Sequence, residues 1–157
     1  MSAKPEVIIT TDGSSLGNPG PGGYAAILEW RDKQKFVTGG FSRTTNNRME
    51  IMAVLFGLAA LKKPARVTIR TDSQYVARAI TEGWLNKWQK NGWRTAGKKP
   101  VKNRDLWEAL ARELEKHEVQ FEWIRGHSGD ERNEKCDEMA RAEAAADNLP
   151  EDTGYQE

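Results

Sequence analysis

Val7-Ile8-Ile9-Thr10-Thr11-Asp12 and Val67-Thr68-Ile69-Arg70-Thr71-Asp72 are two β-branched runs that close in the same way, on Thr-Asp followed by a small residue. Residues of this type favour strands, so the repeat places a carboxylate at the end of each of two strands. If the strands lie side by side and run parallel, as in an open α/β sheet, Asp12 and Asp72 meet outside their carboxyl ends, where such sheets bind ligands. Two close carboxylates repel unless a cation sits between them. A carboxylate-lined metal site is therefore the first expectation.

Around these runs the hydrophobic period predicts the other elements. Residues 6–12 and 22–30 read as strands joined by a glycine and proline loop, Gly13 to Gly22, and residues 35–42 as a third strand, giving an antiparallel meander. Met49, Met52, Ala53, Phe56, Ala59 and Ala60 recur at helical spacing and predict an amphipathic, core-facing helix that stops at Lys62-Lys63-Pro64. Strand returns over 66–71, helix over 73–81 and 103–116, strand over 119–125, and a last helix over 131–146 capped by Asp130. This order predicts an α/β fold with a mixed sheet and helices on its faces. Residues 1–146 are expected to form a single domain, and the acidic tail 147–157 to be disordered.

With 157 residues the chain has the size of one domain. Cys136 is its only cysteine, so no internal disulfide and no thiolate zinc site can be built. The N-terminal apolar run is far shorter than a membrane span of roughly 20 residues. A cytoplasmic protein without membrane attachment is expected, and nothing demands more than a monomer. The net charge of +1 conceals an asymmetry. Residues 84–104 hold seven basic side chains, including Lys87 and Lys90, and no acidic one, which leaves the remainder acidic. A basic segment on an acidic body is a footprint of polyanion binding.

Other residues suited to chemistry are ambiguous one at a time. Glu50 is three residues after Asn47, the spacing of a capping box, yet the preceding meander could deliver it beside Asp12. Asp137 can pair with Arg141 at i+4, or join the carboxylates from the last helix. Asp12, Glu50, Asp72 and Asp137 together would offer four hard oxygen ligands, suited to Mg²⁺ or Mn²⁺ rather than zinc. His127, between Gly126 and Gly129 in a loop, fits an ordinary surface residue or a proton shuttle. Trp84, Trp88 and Trp93 in the basic segment, with Trp107 just beyond it, can form a satellite core under a lysine face, or line a groove for a sugar–phosphate backbone. The stretch from Gly17 to Gly23 opens no helix and lacks the Lys-Ser/Thr ending of a phosphate loop, so that reading is rejected.

Five motifs carry a resemblance: Thr11-Asp12-Gly13-Ser14, Gly17-Asn18-Pro19-Gly20-Pro21-Gly22-Gly23, Thr45-Asn46-Asn47-Arg48-Met49-Glu50, Thr71-Asp72-Ser73-Gln74, and Gly126-His127-Ser128-Gly129 through Asn133-Glu134 to Asp137. In this order, and from about Glu6 to Ala146, the chain closely resembles type 1 ribonuclease H of the bacterial kind with a basic protrusion. The resemblance implies a five-stranded mixed sheet, three strands antiparallel and two parallel, with helices on both faces. It also implies two-metal hydrolysis of the RNA strand of RNA–DNA hybrids, leaving 5′-phosphate and 3′-hydroxyl ends, with Mg²⁺ as cofactor and Mn²⁺ as a substitute. Asp12, Glu50, Asp72 and Asp137 match the metal ligands and His127 the catalytic histidine. Asn18, Asn46 and Gln74 match contacts to the hybrid, chiefly its RNA strand. Thr45 and Trp84 match positions near the DNA strand, and Lys87 and Trp88 fall where a DNA phosphate is held. Asn47, Lys90 and Trp93 complete the expected hybrid-binding set. Two other readings are a different polynucleotidyl transferase on the same fold, and a hybrid-binding module without chemistry.

Overall fold

The computed structural model describes residues 4–126 and 129–156, so His127 lies outside the described residues. Its order is β1 (Glu6–Ser15), β2 (Gly20–Trp30), β3 (Lys33–Thr44), α1 (Asn46–Ala59), β4 (Arg66–Thr71), α2 (Gln74–Thr81), α3 (Trp84–Lys90), α4 (Arg104–Glu115), β5 (Glu118–Trp123) and α5 (Glu131–Ala144). The strands form one five-stranded sheet in the order β3-β2-β1-β4-β5. β1, β2 and β3 pair antiparallel, whereas β4 pairs parallel with both β1 and β5. The expected mixed sheet is present.

Strand β2 shows how the sheet holds helices on both faces. Alternate side chains point to opposite sides of a strand. Tyr24, Ala26 and Leu28 enter the main core with α1, while Ala25 and Ile27 meet Cys136 and Ala140 of α5. The α5 side is lined by small residues, and the Cys136 thiol donates to the Thr10 carbonyl of β1 at 3.1 Å. Asp130 caps α5 as expected, accepting from the amides of Arg132 and Asn133.

Five local readings differ from the structure. The Gly13–Gly22 stretch is not a long loop: β1 runs to Ser15 and β2 starts at Gly20. Its glycines serve close approach. A Cβ on Gly13 would lie 2.4 Å from the Glu50 amide nitrogen. At Gly23 a Cβ would lie 2.2 Å from the Ala140 carbonyl oxygen, where α5 rests directly on the strand. Gly23→Ala is therefore expected to cost about 1–3 kcal/mol, as overpacking does, read as a lower urea midpoint at unchanged slope.

Helix α1 is capped by Thr45 rather than Asn47, the Thr45 hydroxyl accepting from the Arg48 amide at 3.2 Å. Nor is it amphipathic. Residues from Arg48 to Leu55 are all buried, because the sheet covers one side and α4 the other. Helix α3 was not anticipated as an element: it is a short helix closed by a turn at Asn91 and Gly92, with Gly92 at φ 67°. The tail expected to be disordered is anchored instead. The Ser42 amide donates to the Pro150 carbonyl at 2.8 Å, and Asp152 is buried on Arg48 and Thr44. A buried guanidinium requires a carboxylate partner, and the tail supplies it.

Candidate active site

Parallel pairing of β1 with β4 runs from Glu6–Arg66 to Thr11–Thr71, so the next residues, Asp12 and Asp72, come level. Here β4 ends while β1 continues, still paired to β2, to Ser15. Asp12 thus stands inside a strand, at the notch where its neighbour on one side stops. Beyond the notch the chain turns sharply. The Thr71 hydroxyl accepts from the Ser73 amide at 3.0 Å, and the Ser73 hydroxyl caps α2 by accepting from the Val76 amide at 3.2 Å. The Trp123 indole donates to the Asp72 carbonyl at 3.1 Å, tying the end of β5 to the same turn.

Glu50 reaches the notch from one turn inside α1, and Gly13 lets the helix and strand backbones touch there. Oxygens of Asp12, Glu50 and Asp72 lie within 4.8 Å of one another. Asp137 lines the same depression from α5, and one of its oxygens receives Arg141 at 2.9 Å. Its i+4 pairing with Arg141 is present, while the converging oxygens are those of Asp12, Glu50 and Asp72. The depression has a volume of about 450 Å³ and is also edged by Asn46, Asn47, Gln74 and Tyr75.

Electrostatics bear out the initial argument. Burial first, then the charges of Asp72 and Asp137, push the Asp12 carboxyl up to about 8. Burial, followed by the charge of Asp12, also drives Glu50 well above the usual carboxylate range. Without a cation these groups must hold protons to coexist. Glu50 Oε1 is buried and has no hydrogen-bond partner among the described residues. An orphaned buried carboxylate oxygen facing other hard oxygen donors fits a divalent metal cation.

Around the carboxylates, Asn18 accepts from the Asn46 amide at 3.0 Å through its side-chain oxygen, which joins the β1–β2 turn to the start of α1. The tryptophans of the basic segment are partly buried and pack as a cluster. Trp84, Trp88, Trp107 and Tyr75 form a continuous series of ring contacts, with successive centroids 6.3, 5.5 and 5.5 Å apart. Trp107 is fully buried and donates to the Tyr75 hydroxyl at 3.3 Å. Trp93 lies under the Arg104 guanidinium, 5.5 Å from its ring centroid. Lys87 and Lys90 are exposed on this base. The aromatics form a satellite core in which Trp84, Trp88 and Trp93 are only partly buried, and the same rings fasten the basic segment to the edge of the carboxylate depression.

A model of the RNase H family matches residues 4–145. The chain belongs to the ribonuclease H family. It is 59% identical over 150 residues to a ribonuclease H of Nitratidesulfovibrio vulgaris strain DP4, covering 96% of each chain. It is 56% identical over 151 residues to a ribonuclease H of Escherichia coli O139:H28, again covering 96% of each. Among solved structures, LC9-RNase H1, a type 1 ribonuclease H with the type 2 active-site motif, superposes with a TM-score of 0.81 at 30% identity, covering 92% of this chain and 74% of that one. In this member of the ribonuclease H family, two residues missed by local reading support the site. Trp123 holds the Asp72 turn. Arg48 is a buried cation in the first turn of α1, facing Asp105 and Asp152. Neither carries a local signal, since Trp123 acts on the end of a different strand and Arg48 pairs with a carboxylate 104 positions away. Among the described residues, no helix is long and apolar enough to cross a membrane.

Proposed function

We propose that this chain is a metal-dependent endonuclease that hydrolyses the RNA strand of RNA–DNA hybrids, leaving 5′-phosphate and 3′-hydroxyl ends. The observation that carries this reading is the convergence of Asp12, Glu50 and Asp72 within 4.8 Å, with Asp137 beside them, at the notch in the sheet. These four side chains are the ligands for Mg²⁺, with Mn²⁺ as a substitute. Two such ions, when bound, supply an activated water and charge stabilisation for the leaving oxygen in an in-line displacement at phosphorus.

The chain's own groups do the rest. Asp12, in the strand at the notch, would hold metal together with Glu50, Asp72 and Asp137. Asn18, Asn46 and Gln74 offer amides that both donate and accept, as does the 2′-hydroxyl that distinguishes RNA from DNA. Thr45, Asn47, Trp84, Lys87, Trp88, Lys90 and Trp93 form the side that meets the DNA strand through its backbone. His127, the match to the family's catalytic histidine, is assigned the proton shuttle. A foamy viral protease–reverse transcriptase, 25% identical with a TM-score of 0.70, is known in complex with an RNA/DNA hybrid, and this supports the choice of duplex, although this chain covers only 20% of that one. The protein acts as a cytoplasmic monomer on this reading.

The test is cleavage of a labelled RNA–DNA hybrid beside double-stranded RNA, double-stranded DNA and single-stranded RNA, with Mg²⁺ and then with EDTA. Hybrid-only cleavage abolished by EDTA is expected. A hybrid that binds but stays intact with either Mg²⁺ or Mn²⁺ would leave only the binding-module reading. In the same assay, Lys87→Ala with Lys90→Ala should weaken hybrid binding and reduce the slope of log affinity against log salt by about 1 for each phosphate that is no longer neutralised. An unchanged slope would remove this face from the DNA side.

A further inference from the structure

Beside the carboxylate depression lies a larger groove of about 850 Å³ with three walls. Thr45, Asn47 and Arg48, at the start of α1, make the first, together with Asn18. The end of the basic segment, Pro100 to Arg104, makes the second. The third is the C-terminal segment, Gly154, Tyr155 and Gln156. The first wall belongs to the interface proposed above for the hybrid, and the second is the end of the same basic segment. The third lies outside the motifs that carried the family resemblance.

The segment is built into place. Asp152 accepts from Arg48 Nε at 2.7 Å and Nη2 at 3.1 Å, and from the Thr44 hydroxyl at 2.7 Å. Arg48 turns its other edge to Asp105 at the start of α4, with contacts of 2.8 and 2.9 Å. One buried guanidinium therefore links α1, α4 and the tail, the three elements from which the walls rise. Gly154 lies directly on this network, since a Cβ there would come within 2.1 Å of Asp105 Oδ2 and 2.8 Å of Arg48 Nη2. The Tyr155 amide then turns back to the Asp152 carbonyl at 3.1 Å, which sets the Tyr155 ring at the groove.

With every donor edge engaged, Arg48 cannot reach a phosphate, so its place beside the binding loop needs another explanation. A buried ion pair adds little stability over apolar packing, and its best-attested use is to fix geometry. We propose that the segment Asp152–Gln156 is a substrate-contacting wall of the hybrid groove, with Tyr155 packing on the sugar–phosphate backbone of one strand, and with Arg48 and Asp152 as positioning residues that set the groove's width. This rests on the hybrid-nuclease reading. The ligand chemistry follows from the lining: Lys102 for phosphates, beside an Arg104 that is held by Glu108 at 2.6 Å, the Thr45 hydroxyl and the Asn18 and Asn47 amides for backbone oxygens, and one aromatic ring for a sugar face.

The test is steady-state cleavage of the hybrid at 25 °C in Mg²⁺, with melting temperatures measured alongside, for the full chain and for Tyr155→Ala, Tyr155→Phe and Asp152→Asn. Tyr155→Ala is expected to raise KM by about fivefold or more, the loss typical of an aromatic contact worth at least 1 kcal/mol, with kcat and melting temperature held. Tyr155→Phe keeps the ring and should retain the wild-type KM. Asp152→Asn should raise KM at temperatures well below its own melting point, again with kcat held, because the wall is displaced while the carboxylates are not. Wild-type KM for both Tyr155→Ala and Asp152→Asn, with only the melting temperature of Asp152→Asn lowered, would make the tail a stabilising strap and overturn the proposal. Wild-type protein that neither binds nor cleaves the hybrid overturns the functional reading itself, which is a different result.

Discussion

Asp12→Asn is expected to reduce hybrid cleavage by more than about 100-fold, because groups that merely support a metal ligand already account for 10- to 100-fold and Asp12 is itself one of the proposed ligands. The same change should make the metal-free protein more stable at neutral pH. Asp12 is pushed up to about 8 in the folded protein, first by burial and then by Asp72 and Asp137, against an ordinary value of 3.8. Between those values the unfolded chain is ionised and the folded one is not, so folding is penalised by an amount that is absent below about pH 4, grows as the pH rises, and is complete by about pH 8. Asparagine removes that penalty. In EDTA the variant should melt higher than the wild type at pH 7.5, and the gap should close as the pH falls towards 4. Mg²⁺ or Mn²⁺ should raise the melting temperature of the wild type more than that of the variant, since a cation relieves the same repulsion. Thermal melts at three pH values with and without metal give the whole pattern. Cleavage by the variant at the wild-type rate would remove Asp12 from the chemistry.

Arg48→Ala carries the second large effect. Removing one partner of a buried pair leaves the other uncompensated, at a cost of about 3–5 kcal/mol. Here the stranded group is Asp152, whose side chain is only 3% exposed. Asp105 is half exposed and can turn to water, so it adds little to the loss. Although partial burial pushes Asp105 the other way, Arg48 outweighs it and holds that carboxylate below its ordinary range. For a domain of this size the melting temperature should fall by roughly 6–20 °C. Arg48→Lys should recover only part of this, because an ammonium cannot meet two carboxylates edge-on as the planar guanidinium does. A variant that melts with the wild type would show that the tail releases without cost.

What could be read from the sequence, and what could not, follows from the range of each interaction. The two Thr-Asp runs disclosed the site because a strand's period and its closing residue are written within six positions. Asp130 was legible for the same reason, as a cap uses only its neighbours. The stretch after Asp12 misled because glycine usually marks a turn, whereas Gly13 and Gly23 are there to admit Glu50 and Ala140 from distant helices. Thr45 displaced Asn47 as the cap of α1, and this left Glu50 free for the notch instead of a capping box. Arg48 and Asp152 are 104 positions apart, and no local pattern announces such a pair. The tail looked disordered because its composition is polar, yet a single buried carboxylate on a buried guanidinium was enough to fasten it.

Cys136 gives the molecule a built-in clock. Its thiol is fully buried between α5 and β1, and burial, more than the nearby carboxylates, pushes its ionisation well above the ordinary range. Thiolate is the reactive form, so alkylating reagents meet an inert sulfur while the helix stays seated. Labelling then waits for α5 to lift from the sheet, and its rate under native conditions reports how often that happens. Because Asp137 is the next residue, the same opening dismantles the carboxylate cluster. The lifetime of the intact centre can thus be timed through a neighbouring atom, in the absence of metal and substrate.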